Sequence, residues 1–179
     1  MAITAAQVNE LRQKTGLGMM ECKKALEESA GDVQKAVDLL RTKGLAKMDS
    51  RAERVSAEGR IALAVSHDRT KAAMVEINSE TDFVAKNEKF LAVVQSIAQE
   101  ALTQPAGPVT KSDSMQAGID DQRLTTKENV QFGRGEVVGG PGSTVGGYVH
   151  FTGKIGVLIE LTGPADTITN ELIADLTEE

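Results

Sequence analysis

Residues 61–77, with the sequence IALAVSHDRTKAAMVEI, decide the fold, because apolar side chains recur at every second position. The alternating apolar residues are Ile61, Leu63, Val65, Ala73, Val75 and Ile77. A period of two is typical of a β-strand, and the polar stretch 67–70 supplies a turn between the two runs. The pattern therefore predicts a β-hairpin.

A helix is expected to follow this hairpin. After the loop 78–86, Asn87 is suited to cap a helix that runs from Glu88 to about Leu102. Its apolar stripe has helical spacing and consists of Phe90, Val94, Ile97 and Ala101. Residues 61–102 thus form a predicted ββα unit, the first core subdomain.

The end of the chain repeats this arrangement. The segment 148–151, a turn at Thr152-Gly153 and alternating apolar residues over 155–161 predict a second hairpin. An acidic helix is expected next, with an apolar face made of Ile168, Leu172, Ile173 and Leu176. Aligning the two copies sets residues 75–77 against 159–161 and pairs Asp82 with Asp166. The same register pairs Phe83 with Thr167, so the loop aromatic belongs to the first copy alone.

The N-terminal residues 1–42 have the pattern of three short helices. The first is predicted from the N-cap Thr4 to Lys14 with Val8 and Leu11 inward, and the second over about 19–30. The inward face of the second helix is expected to be Met19, Cys22, Ala25 and Leu26. Asp32 caps a third helix with apolar residues Val33, Ala36, Val37 and Leu40. Together they predict a compact three-helix domain.

Two segments have a different character. Residues 43–60 mix basic and acidic side chains, among them Arg51, and are interpreted as a solvated linker with some helical content. Residues 103–144 hold three of the four prolines and seven of the 17 glycines, so an irregular connector is expected there. Val130, Phe132 and Val137-Val138 are the positions where a short strand is expected. Residues 145–179 form the second core subdomain, and the fold class is α+β.

Composition excludes several classes of protein. Hydrophobic residues make up 40% of the 179, which is typical of a folded domain rather than a disordered chain. No apolar run approaches the roughly 20 residues that span a bilayer. The N-terminus lacks a secretory pattern and the single cysteine forms no internal disulfide, so a cytoplasmic protein is expected. A net charge of −6 and only 3% aromatic residues argue against direct nucleic-acid binding.

The residues that enzymes use are not found in a recognisable arrangement. No phosphate-binding P-loop is present, and the glycines at 133, 135 and 139 miss the dinucleotide-binding spacing by one residue. His67 and His150 are far apart in the sequence, and Cys22 lies on an apolar helix face. We therefore expect no cofactor, no metal site and no enzymatic activity.

One segment does not fit a purely structural pattern. Phe83 and Val84 appear in a short polar loop between a strand and the Asn87 cap. Phe83 is not a hydrophobic staple, because the staple positions here are Lys86 and Leu91. Two interpretations remain open at this point: the ring packs onto the sheet, or it is presented to a partner. In the second case Asp82 adds a charge beside an apolar wedge.

Longer stretches resemble a known family. Leu11–Leu26 has the sequence LRQKTGLGMMECKKAL, and Glu76–Lys86 has the sequence EINSETDFVAK. Both are similar, almost without gaps, to motifs of elongation factor Ts, the guanine-nucleotide exchange factor of bacterial and organellar translation. Tyr148–His150 with Lys154–Leu158 resembles a third, weaker segment of that family.

The resemblance implies a ubiquitin-associated-like N-terminal bundle, a core of two related subdomains and binding to elongation factor Tu in its guanosine diphosphate and nucleotide-free forms. It assigns the insertion beside the partner's nucleotide and magnesium site to Thr81, Asp82, Phe83 and Val84. It assigns docking on the GTPase domain to Arg12, Met19, Met20 and Lys23, and a contact of the second subdomain to His150. By itself, the sequence also allows a core position for Met19, a solvated surface charge for Lys23 and a satisfied strand residue for His150.

The resemblance thus implies a translation factor that promotes nucleotide release without bond chemistry. Two alternatives come from other classes: a module that binds a peptide or a ubiquitin-like partner, and an enzyme built in the glycine-rich segment. Many family members continue further than this chain, so either this is a short form or the sequence is incomplete, and shorter members of the family can dimerise. The short second subdomain, which leaves an apolar face poorly covered, is therefore the motive for a homodimer hypothesis.

Overall fold

The computed structural model describes residues 3–49, 53–163 and 167–178. Within them the chain forms helices and antiparallel sheets, which confirms the α+β class. It divides into two compact units. The first comprises the described residues up to Arg54 together with Asp120–Asn129, and the second comprises Val55–Ile119 and the described residues from Val130 onward.

The first unit contains the three predicted helices: α1 (Ala5–Thr15), α2 (Met19–Glu28) and α3 (Val33–Asp49). Thr4 caps α1 as expected, since its hydroxyl accepts from the Gln7 N–H while the Gln7 side chain accepts from the Thr4 N–H. The Gly16 backbone is left-handed (φ 68°), which ends α1. Asp32 accepts from the Lys35 N–H at the start of α3, so this predicted cap is confirmed.

The core of this unit is small and apolar. Its buried members are Val8, Leu11, Leu17, Cys22, Ala25, Leu26 and Ala36. Helix α3 continues well past residue 42, because Met48 near its end is also buried and therefore holds this part of the chain. The charged segment 43–60 is thus helical up to Asp49 and ends in a strand that begins at Glu58. Arg51 lies outside the described residues.

The second unit contains both predicted hairpins. The first consists of β1 (Glu58–Val65) and β2 (Lys71–Ser79), which pair antiparallel with Ala62 opposite Val75. The helices α4 (Asp82–Ala85) and α5 (Glu88–Ala101) follow, and Asn87 caps α5 as predicted. After the short strand β3 (Gly107–Pro108) come α6 (Asp113–Thr126), whose residues from Asp120 onward belong to the first unit, and β4 (Gln131–Gly139). These strands form a four-stranded sheet with the order β1-β2-β4-β3.

The second hairpin is a separate two-stranded sheet of β5 (Ser143–Val149) and β6 (Gly156–Thr162), followed by α7 (Asn170–Glu178). On α7, Ile173 is buried whereas Leu172 and Leu176 are 39% and 49% exposed. The predicted apolar face of this helix is therefore only partly inward. Asp166, the counterpart of Asp82 in the repeat alignment, lies outside the described residues.

Both faces of the four-stranded sheet are covered. On one face Ala62, Ala64, Ala73, Val75 and Ile77 share a buried cluster with the α5 residues Phe90, Val94 and Ile97. Ile61 and Leu63 face the other way, toward the second hairpin, since a Cβ at Gly147 would lie 3.0 Å from Leu63 Cδ1 and one at Gly156 would lie 3.0 Å from Ile61 Cγ2. Because both faces are covered, the positions between the large apolar residues of β1 are also apolar, and they are occupied by the small residues Ala62 and Ala64.

The prediction of an irregular connector over 103–144 is wrong, because this segment contains the helix α6 and the strand β4. Met115 and Ile119 on α6 are buried, and α6 packs closely on α5 at Gly118, where a Cβ would lie 3.3 Å from Val93 Cγ1. The predicted strand is confirmed and is longer than expected. Gly133 forms a bulge opposite Glu76 and Ile77, so β4 continues through its glycines instead of ending at them.

No helix in the described ranges has the combination of length and apolarity that crossing a membrane requires.

Candidate functional site

The segment 81–84 forms a short helical turn immediately after β2. Thr81 has an extended backbone and its hydroxyl accepts from the Val84 N–H at 3.4 Å, which starts α4. The buried Ser79 donates its hydroxyl proton to the Thr81 carbonyl at 3.1 Å. Ala85 is buried and Val84 packs against the core cluster. The segment is therefore anchored at both ends.

Phe83 points away from the protein. Its side chain is 83% exposed, although the residues beside it are partly buried. Since α4 is a single turn, Val84 and Ala85 face the core while Phe83 occupies the opposite side. Of the two interpretations that the sequence left open, the structure favours the presented ring over inward packing.

Asp82 is held as a carboxylate by a neighbouring lysine. Lys86 Nζ lies 2.7 Å from Asp82 Oδ2, one helical turn away. The hydrogen bond from Lys86 is the main cause that lowers the pKa of Asp82, and the positive charge of Lys154 lowers it further. A negative charge therefore stands beside the exposed ring at neutral pH.

We predict that Lys86→Met raises the pKa of Asp82 toward its ordinary value. The substitution removes the ammonium donor, which stabilises the ionised form, so the proton is released at a higher pH. The chemical shift of the Asp82 carboxyl carbon, followed by NMR titration, measures the change. Lys89→Met is the control, because Lys89 is an exposed lysine on α5 that is not among the causes of the Asp82 shift. An identical Asp82 titration in Lys86→Met and the wild-type chain would contradict the assignment.

The strand that leads into the loop carries a second polar network. Asn78 donates to Glu76 Oε1 at 3.0 Å, and Arg134 Nε donates to Glu76 Oε2 at 2.8 Å. These contacts, with the Asn78 hydrogen bond first, lower the pKa of Glu76. They join the end of β2 to β4 across the bulge and thus support the base of the 81–84 segment.

The four docking candidates of the N-terminal motif lie on α1 and α2 of the first unit and are exposed: Arg12, Met19, Met20 and Lys23. Met19 is 53% exposed and Met20 66%, so the expectation that Met19 belongs to the inward face of α2 is wrong. Met19 is the first residue of α2, where no preceding turn of helix covers it. Lys23 lies 3.8 Å from Glu27 in a solvent-exposed ion pair.

His150 lies in the turn between β5 and β6 and is half-buried. Its Nδ1 is 3.1 Å from the Thr152 hydroxyl. Its ring is edge-on to Tyr148 at 6.3 Å and tilted against Phe151 at 4.3 Å. Sequence reasoning missed Phe151, whose only signal was an aromatic residue placed next to a turn in a chain with few aromatics.

The 81–84 segment and the β5–β6 turn lie at the same end of the second unit. Glu58 pairs with Ser79 in the first hairpin, and Lys154 of the turn lies 2.6 Å from Glu58 Oε2. Cations and acids are thus concentrated at this end. Among the residues that the structure describes, no group of three or more His, Cys, Asp or Glu side chains is placed to hold a metal ion.

Comparisons with known proteins agree on one family. The family model described as Elongation factor TS matches residues 80–177, which include the 81–84 segment. Elongation factor Ts of Trichlorobacter lovleyi is 44% identical over 192 residues that cover 100% of this chain and 61% of that protein. The protein of the same name from Arthrospira platensis is 46% identical, over 96% of this chain and 72% of its own length.

A third relative, elongation factor Ts of Acidithiobacillus ferrooxidans, is 46% identical over 93% of this chain and 58% of its own length. The chain thus spans about three fifths of the length of the first of these relatives. The identity covers the helical unit as well as the two hairpins. Together, the family match and the identity over nearly the whole sequence show that the chain belongs to the elongation factor Ts family.

Proposed function

We propose that this chain binds elongation factor Tu and promotes the release of guanosine diphosphate from it. The observation that carries the proposal is Phe83, an 83% exposed aromatic residue held on an anchored helical turn beside an ionised carboxylate. Family membership supports the same activity, because the relatives are named elongation factor Ts.

In this proposal the segment Thr81–Val84 inserts beside the nucleotide site of elongation factor Tu. The Phe83 ring enters an apolar pocket of the partner, and full burial of such a ring contributes about 1.5–3 kcal/mol. Asp82 competes for donors or cations that would otherwise hold the partner's magnesium ion and the diphosphate. Nucleotide exchange thus takes place in the nucleotide site of elongation factor Tu, and this chain contributes no catalytic group.

Thermodynamic linkage accounts for the release. A protein that weakens nucleotide binding is itself bound more weakly in the presence of nucleotide, by the same factor. Each 1.4 kcal/mol of this coupling changes the nucleotide affinity about tenfold. The chain therefore binds the guanosine diphosphate form, passes through a complex without nucleotide, and is released when new nucleotide enters.

The remaining candidate residues supply affinity for the partner. In the proposal, Arg12, Met19, Met20 and Lys23 dock on the GTPase domain, and their exposure supports this role. His150 contacts another domain of the partner from the second hairpin. These contacts hold the chain in place while Phe83 and the nucleotide exclude each other.

The direct test is stopped-flow release of a fluorescent guanosine diphosphate analogue from elongation factor Tu. The wild-type chain is expected to accelerate release in a concentration-dependent and saturable manner. Pull-down of elongation factor Tu by the immobilised chain accompanies it. Binding without acceleration would reject exchange, and the absence of both would favour a module that recognises a peptide or a ubiquitin-like partner.

A homodimer is a separate proposal. The exposed side chains of Leu172 and Leu176 on α7 support it, because they offer apolar surface that a second copy would cover. Light scattering at high concentration is expected to give twice the mass of 19.0 kDa. A mass of one chain at every concentration would reject it.

A further inference from the structure

A polar residue occupies the last core-facing position of β2. Side chains alternate along a strand, so Ser79 lies on the same side of β2 as Val75 and Ile77, which belong to the buried cluster. Ser79 is 0% exposed, and a buried hydroxyl costs free energy unless it is hydrogen-bonded. Alanine, which occupies position 73 of the same row, is nearly as large and avoids this cost. The hydroxyl of Ser79 therefore needs an explanation other than core packing.

The Ser79 hydroxyl joins the strand to the helical turn that carries Phe83. It donates to the Thr81 carbonyl at 3.1 Å, and the same carbonyl accepts from the Ala85 N–H at 3.2 Å. A carbonyl oxygen has two lone pairs, so it accepts both hydrogen bonds at once. One oxygen atom thus connects the last residue of β2 with the last residue of α4.

The backbone pairing of the sheet ends where this connection begins. Strand β1 pairs with β2 as far as Ser79, and β4 pairs with it as far as Asn78. Residues 80 and 81 then separate the sheet from α4, which is a single turn and too short to be stable as an isolated helix. The direction of α4 relative to the sheet consequently depends on contacts at its ends, among them the Ser79 hydrogen bond.

We infer that Ser79 is a positioning residue for nucleotide release, because its buried hydroxyl fixes the direction in which α4 leaves β2 and so holds Phe83 in the orientation that enters the partner. The inference rests on the proposed function and adds a residue that does not itself contact the partner. Without the hydroxyl, the turn adopts several directions, and only a fraction of the chains presents the ring productively. An interaction is weakened by the fraction of molecules that are competent to make it.

This role predicts a particular kinetic effect. In the proposed function, contacts outside the 81–84 segment supply affinity for elongation factor Tu, whereas Phe83 acts in the step that displaces the nucleotide. A group that acts only in that step changes the maximal rate. Ser79→Ala is therefore expected to lower the maximal release rate about fivefold, the factor that corresponds to one neutral hydrogen bond. The concentration for half-maximal stimulation is expected to stay the same.

The experiment is a titration of elongation factor Tu, loaded with a fluorescent guanosine diphosphate analogue, with each variant of the full chain. Ser66→Ala is the matched control, since Ser66 lies at the opposite end of the same hairpin. Its hydroxyl also makes hydrogen bonds, donating to Asp68 at 2.7 Å and accepting from the Lys71 N–H at 3.0 Å. This control is expected to stimulate release like the wild-type chain. Ser79→Cys keeps a weak donor of similar size and is expected to give an intermediate rate.

A double variant separates positioning from a general loss of stability. In the Phe83→Ala background, Ser79→Ala is expected to cause no further loss of the residual stimulation, because no ring is left to position. A purely structural role for Ser79 would lower the rate by the same factor in both backgrounds.

Amide hydrogen exchange of the free chain, followed by NMR, tests the same hydrogen bond without the partner. Ser79→Ala is expected to speed the exchange of the Val84 and Ala85 amides, whose acceptors are the hydroxyl and the carbonyl of Thr81. Exchange at Val75, in the middle of β2, is expected to be unchanged. Equal exchange of all these amides in the variant and the wild-type chain would show that the hydroxyl does not hold the turn, and would overturn the inference.

The outcomes separate the inference from the proposed function. If the wild-type chain accelerates release and Ser79→Ala does so equally well, the positioning role is wrong and the proposed function stands. A raised half-maximal concentration with an unchanged maximal rate would also overturn the inference. If the wild-type chain does not accelerate release, the proposed function is wrong and the inference falls with it, whatever the amide exchange shows.

Discussion

Phe83→Ala is expected to reduce the maximal stimulation of nucleotide release from elongation factor Tu about a hundredfold while the chain remains folded. The ring is 83% exposed in the free chain, so its removal leaves no cavity. In the proposed complex it becomes fully buried, and the loss of up to about 3 kcal/mol corresponds to roughly two factors of ten. Stopped-flow release at saturating concentrations of the variant measures the effect.

Asp82→Ala should act in the same direction, because it removes the charge that competes for the partner's donors or cations. Circular dichroism and thermal unfolding of both variants serve as controls for the fold, and both are expected to match the wild-type chain. Phe83→Leu is a useful intermediate, since it keeps most of the apolar volume and should retain part of the activity. Full stimulation by both Phe83→Ala and Asp82→Ala would contradict the assigned role of the segment.

Phe90→Ala is expected to lower the free energy of unfolding by about 3–5 kcal/mol. Phe90 is 0% exposed at the start of α5 and belongs to the cluster that joins this helix to the first hairpin. Its removal takes a large ring out of a closely packed interior and leaves a cavity that its neighbours fill only in part. Denaturant unfolding followed by circular dichroism measures the change.

The same substitution at Phe83 is the matched control for this second prediction. The two residues are seven positions apart, and they differ in exposure rather than in chemistry. Phe83→Ala should change the free energy of unfolding by no more than about 0.5 kcal/mol, as is usual for surface substitutions. Equal destabilisation by both variants would contradict the outward placement of Phe83.

Much of the fold follows from periodicity. The alternation over 61–77 predicts the first hairpin, and helical spacing over 88–102 predicts α5 with its buried stripe. The pattern is less informative about which side of β1 faces α5. Its sequence IALAV is apolar at every position, and the side toward α5 is occupied by Ala62 and Ala64 while the larger Ile61 and Leu63 face the second hairpin.

Two glycines explain why the spacing of apolar residues does not predict α6 and the full length of β4. In α6 the apolar residues Met115, Ile119 and Leu124 are buried, but Gly118 is unfavourable for an isolated helix. At that glycine α6 closely approaches Val93 of α5, a tertiary contact that local sequence does not reveal. In β4, Gly133 supplies a bulge whose position depends on the partner strand. From the sequence alone, both glycines are expected to interrupt a helix or a strand, because their close contacts come from neighbouring elements.

The candidate site is predictable in part. The position of Phe83 in a polar loop identifies it as a candidate contact residue from the sequence. Its outward orientation depends on the buried Ala85 and the Thr81 cap. Phe151 gave almost no signal, because a single aromatic next to a turn is common. Its proximity to the first hairpin depends on contacts between residues far apart in the chain, among them the Ile61–Gly153 backbone hydrogen bond and the Glu58–Lys154 pair.

The order of strands in the four-stranded sheet has a consequence for synthesis on the ribosome. Strand β2 lies between β1 and β4, and β4 follows it by about fifty residues. At elongation rates of about 5–20 residues per second, one edge of β2 therefore stays without its neighbour for roughly 3–10 s as the nascent chain emerges. During that interval the edge is open to pairing with other chains. Timely arrival of β4 consequently protects the newly made protein from aggregation.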